Sequence, residues 1–194
     1  MLIKMLPDDK KALLVDLAIL LALSDNPLLW DGKTKSELTS DSNLNNISIQ
    51  KDVLEEELIK DLEQYSEGST GTSIKFFGGL GFSNTSTEHR LIEKLKCYPL
   101  AVIDAPETRI QAAIAVLKTI ISDEKIGDVV PPKIIIFELF LVALRDGQIS
   151  SIEWMLLKEI QLYFKIPDFI FKDLLDSAEA LNNEMSKTLA LIQE

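Results

Sequence analysis

The stretch Asp146-Gly147-Gln148-Ile149-Ser150-Ser151-Ile152-Glu153 has the residue types and spacing that come nearest to chemistry in this chain. An EF-hand calcium loop places side-chain oxygens at positions 1, 3 and 5, glycine at 6, an aliphatic residue at 8 and a bidentate glutamate at 12. Asp146, Gly147, Ile149 and Glu153 fall at positions 5, 6, 8 and 12 of such a loop. Val142 and Leu144 then stand at positions 1 and 3, so hydrocarbon replaces two of the oxygen ligands. The same residues also suit a turn with no ion. Gly147 can take the left-handed conformation that ends a helix, and Ser150 with Glu153 has the spacing of a capping box.

A metal site needs more oxygens than Asp146 and Glu153 supply, because Ca²⁺ takes about six to eight and Mg²⁺ prefers an octahedron completed by water. Further candidates are Asp25 and two acids set in apolar runs, Asp16 and Glu138. Glu138 precedes Asp146 by two helical turns, about 80° around the axis, so both could face one groove. Convergence of Glu138 and Asp25 with Asp146 would give a shared acidic pocket, and the candidate metal ligands are Asp25, Glu138, Asp146 and Glu153. The competing expectation places Glu138 on the solvent side of its helix.

Other chemistries find less material. Cys97 is the single cysteine, which excludes an internal disulfide, points to a reducing, cytoplasmic compartment and reads as a buried or semi-buried thiol. The single histidine, His89, lies in a polar run and reads as a surface residue. Gly78-Gly79-Leu80-Gly81 follows no strand and precedes no Lys-Ser/Thr pair, so a phosphate loop is not expected. Lys75-Phe76-Phe77 with Leu80 and Phe82 reads either as packing onto the body or as a docking segment for a partner or a membrane surface. Thirty-one acidic against twenty basic residues give a net charge of -11, a field that repels a phosphate backbone and favours cations or basic protein surfaces.

The elements that must position these residues are helical. Residues 13–27 (LLVDLAILLALSDNP) match residues 134–148 (IIIFELFLVALRDGQ) at a constant offset, with Ala22-Leu23-Ser24-Asp25 answering Ala143-Leu144-Arg145-Asp146. That repeat suggests two pseudo-symmetric halves, each built on an apolar helix ending at an aspartate. It also argues against a signal peptide at Lys10-Lys11, since the pattern recurs where no export signal could be. Neither run is long enough to span a bilayer.

Pro7-Asp8-Asp9 opens the first helix, residues 32–47 read as a loop, and a charged helix is expected over residues 48–66. Thr85-Ser86-Thr87-Glu88 has capping-box spacing, Pro106 opens a helix to about Ser122, and Pro131-Pro132 introduces the next. Residues 150–164 form another, Pro167-Asp168 starts a short one, and Asp176-Ser177 can cap a last. Trp154, Phe164, Phe169 and Phe171 read as core. No alternating strands are expected. The class is all-α: a single domain over residues 1–194, a bundle of about seven to eight helices with a Ser/Gly-rich insertion at about 66–87.

The apolar helix 137–144, the turn Arg145-Asp146-Gly147-Gln148-Ile149-Ser150, Glu153 and the continuation Tyr163-Phe164-Lys165-Ile166-Pro167-Asp168-Phe169 resemble the TerB-like family. That family is named for a tellurite-resistance protein and is also found beside other domains, including co-chaperone J-domains. Asp25-Asn26-Pro27 stands where the first Asp-Gly turn is usual, and Gly32 where a glutamate would match Glu153. The resemblance implies a helical bundle of two related halves, a stress-response role, and work through acidic residues, cations or protein partners. The expected function is therefore a cytoplasmic, non-enzymatic module for a partner protein, with Ca²⁺ or Mg²⁺ as the candidate ion. The alternatives are a carboxylate–metal hydrolase and a peripheral membrane adaptor.

Overall fold

The computed structural model describes residues 2–51, 57, 60, 61, 64, 86–122 and 130–193. Among them are six α-helices: α1 (Asp8–Leu23), α2 (Thr87–Leu95), α3 (Pro106–Ile121), α4 (Val130–Ala143), α5 (Ser151–Tyr163) and α6 (Asp168–Gln193). The helix expected over 48–66 lies mostly outside the described residues, as do the glycine run 78–81, the Phe-bearing segment 75–82 and the acidic turn 123–128.

The two apolar runs form the centre. In α1 nine residues of Leu, Val and Ala are buried, and in α4 Ile134, Ile135, Ile136, Leu139, Phe140, Val142 and Ala143 are. A helix apolar on nearly every side needs neighbours on nearly every side. α1 packs on α4, α3 and α2, while α4 packs on α6 and α5. Phe140 meets Phe171 of α6 edge-on at 4.9 Å, and Phe171 meets Trp154 at 5.8 Å.

Local chemistry sets the helix ends. Pro106 is in the first turn of α3, where its missing N–H costs no intrahelical bond. The cap of α2 is Ser86, whose hydroxyl accepts the His89 amide at 3.3 Å, and Thr87 donates to half-buried Asp16 of α1 at 2.6 Å. At the α5–α6 corner, Lys165 holds a left-handed φ of 54°. Buried Gln161 ties that corner by donating to the Ile166 carbonyl and to Asp168.

Several expectations need correction. Two short strands exist: β1 (Leu28–Trp30) and β2 (Ile47–Ile49) pair antiparallel, Leu28 facing Ile49 and Trp30 facing Ile47. The two helices expected after Pro167 are one, because Ser177 returns its hydroxyl to the Asp173 carbonyl at 2.7 Å instead of opening a new helix. Cys97 is exposed rather than buried, and Phe169 is exposed, unlike Phe164 and Phe171.

Candidate functional site

Of the acids named from the sequence, Asp25 after α1 and Asp146 in the turn after α4 are within electrostatic reach of Glu153 at the start of α5. Gly147 takes φ 93°, as the turn requires. The Asp146 carboxylate accepts the Gln148 amide at 3.1 Å, closing the turn while its side chain stays exposed. Ser150 and Glu153 form the expected capping box: the Ser150 amide donates to Glu153 Oε2 at 2.8 Å, and the Glu153 amide donates to Ser150 Oγ at 3.2 Å. Ser150 and Glu153 therefore cap the start of α5.

Glu153 is 8% exposed, and burial pushes its carboxyl up to about 7. The amide and hydroxyl of Ser150 oppose that shift, whereas the negative charges of Asp25 and Asp146 add to it. The charges of Asp25 and Asp146 thus both reach Glu153, and both side chains are exposed.

Glu138 is elsewhere. It is 1% exposed, not on the solvent side, and its Oε1 accepts the amides of Leu2 and Ile3, the latter at 3.2 Å. Its other oxygen is buried with no partner among the described residues. The shared pocket imagined from helical spacing fails because the 3-10 turn Leu2–Met5 packs on α4 and takes this carboxylate. Among the described residues, no group of three or more His, Cys, Asp or Glu side chains is arranged to hold a metal ion.

The residue that the acid search misses is Arg109. It is 4% exposed, and its guanidinium donates to the Ser24 carbonyl at 2.7 and 3.0 Å, to Asn26 at 2.9 Å and to Leu23 at 3.3 Å. These are carbonyls left open at the end of α1, so Arg109 caps that helix from α3. Burial lowers the guanidinium from its ordinary value, and the charges of Asp104 and Asp25 counter this. Its sequence signal is position: Arg109 precedes Ala112, Ala113, Val116 and Leu117 at core spacing.

Beside this junction is an open groove of about 710 Å³ lined by Asp25, Trp30, Lys35, Asp104, Arg109 and Ile152 among others. Lys35 reaches Asp104 at 3.4 Å across it. Its lining is mostly apolar and includes side chains of both charges. Exposed carboxylates over a fixed backbone are suited to accepting charged hydrogen bonds from a ligand.

No family model, curated protein or solved structure matches this chain.

Proposed function

We propose that this chain is a non-enzymatic, TerB-like helical module that binds a basic segment of a partner protein at the junction of Asp25, Asp146 and Glu153. The observation that carries the reading is the pair of exposed carboxylates, Asp25 and Asp146, that follow the ends of α1 and α4 beside an open groove lined by Asp25. Two exposed carboxylates, at the ends of the two central helices, favour a cationic ligand next to a mostly apolar groove. The net charge of -11 extends the same preference over the whole chain.

The matched runs ending at Asp25 and Asp146 support two pseudo-symmetric halves. A divalent cation would enter as a bridge, its remaining coordination completed by water and by oxygens of the partner. The family reading adds a cytoplasmic stress-response setting and rests on the residues around the Asp146 turn. A carboxylate–metal hydrolase needs three carboxylates converging on one open position, and among the described residues no such group is arranged to hold a metal ion. The membrane-adaptor reading depends on residues 75–82, outside the described ones.

The test is capture from cell extract by the wild-type chain and by an Asp25→Asn/Asp146→Asn double variant. The reading predicts a partner that wild type retains, that the double variant loses at least tenfold, and that moderate salt releases. Equal capture by both proteins would overturn it.

A further inference from the structure

The second half of α6 leaves the body of the molecule. Among the described residues Asn182 makes the last hydrogen bond to the body, donating to the Leu144 carbonyl at 3.0 Å, and residues 183–192 are all exposed. The packed face of the helix nevertheless continues in phase along this extension. Phe171, Leu174 and Ala178 are followed by Leu181, Met185, Leu189 and Ile192, at spacings of three and four that hold all seven within an arc of about 80°. The last four are 43%, 56%, 56% and 74% exposed.

Such spacing makes the seam of a helix pair, so a second helix is the matching occupant. The extension also needs one. It reaches about 16 Å past Asn182, and a helix that short without tertiary contact is marginal in water. Asn183, Ser186 and Thr188 are weak helix formers, which leaves the seam as its main stabilising feature.

Charge selects which helix. Copies of a chain carrying -11 repel over most of their surfaces. The stretch 180–193 carries one acid, Glu184, and one base, Lys187, which pair with each other at 2.7 Å. A neutral seam attracts neither an acidic nor a basic partner, and it lets a second copy approach. We propose that the extension pairs with the same helix of a second copy, antiparallel about a two-fold axis between Met185 and Leu189. The antiparallel direction places the acidic bodies at opposite ends, and the two-fold makes the patch complementary to itself. A seam of this length buries about 1,000 Å², the lower edge for specific pairs, so the dimer is weak. This surface is separate from the acidic junction.

Sedimentation velocity on the full chain, from roughly micromolar to roughly millimolar concentration, tests the proposal. Wild type is expected to pass from monomer to dimer, while Met185→Glu and Met185→Lys each stay monomeric with unchanged circular dichroism from the body. An equimolar mixture of the two variants is expected to recover a dimer, since opposite charges then meet near the axis. A wild-type chain that is monomeric throughout, or a Met185→Glu variant that dimerises like wild type, would overturn the proposal. So would a monomeric wild type that instead sediments with phosphatidylcholine vesicles, which would make the seam a lipid-binding face.

Discussion

Glu153 Oε2 accepts the Ser150 amide at 2.8 Å while the Glu153 amide donates back to Ser150 Oγ at 3.2 Å, so one acid both starts α5 and sits buried below two exposed aspartates. Its carboxyl is raised to about 7 from an ordinary 4.5. Below 4.5 the folded and unfolded chains both hold this proton. Between 4.5 and about 7 the folded chain keeps a proton that the unfolded chain has lost, so stability falls as pH rises. Above that window the charged form is buried at a cost on the order of 3 kcal/mol. Carbon-detected NMR titration of the Glu153 carboxyl should show a midpoint near 7, and a midpoint below 5 would contradict this.

Glu153→Gln keeps an oxygen for the Ser150 amide and removes the buried charge. Urea denaturation should find this variant at least as stable as wild type at pH 8, with the difference shrinking toward pH 5. A loss of about 1 kcal/mol or more at pH 8 would mean that the charged cap stabilises more than its burial costs.

Arg109→Met should destabilise by about 3 kcal/mol, because the carbonyls of Leu23, Ser24 and Asn26 lose their buried donor. Arg109→Lys should recover only part of this, since an ammonium cannot reproduce the planar fork. Equal stability of the Lys variant and wild type, from the same denaturation curves, would show that charge alone suffices.

Glu138→Leu should separate two effects. Global stability should stay level or rise by about 1 kcal/mol, as a buried carboxylate with one oxygen unpartnered among the described residues gives way to hydrocarbon. The Ile3 amide should meanwhile lose its hydrogen-exchange protection. Retained protection would show that burial of Ile3, not the carboxylate, holds the N-terminal turn.

How much of this was legible in the sequence differs from element to element. The central helices α1 and α4 announce themselves as apolar runs, and Pro106 and Pro132 mark starts that the backbone uses. The Ser150–Glu153 cap is local, so spacing alone reveals it. β1 and β2 have three residues each, too few for alternation to show. The single long α6 is hidden because Asp176-Ser177 has a capping composition, yet no Gly or Pro interrupts the run. Glu138 was recognisable as unusual, but its partner Ile3 is 135 residues away, a distance that no periodicity encodes. Arg109 shares that difficulty: its core spacing is visible, whereas the carbonyls it caps belong to another helix.

The most direct test of the proposed binding surface is calorimetric titration of chelator-stripped wild type and the Asp25→Asn/Asp146→Asn double variant. The probes are Ca²⁺, Mg²⁺ and a short Lys/Arg-rich peptide at low salt. The account predicts saturable binding of the peptide to wild type, weakened about tenfold or more in the double variant, roughly 1.4 kcal/mol. No binding by wild type, or equal binding by both proteins, would contradict it and leave the Asp146 turn as a capped helix junction.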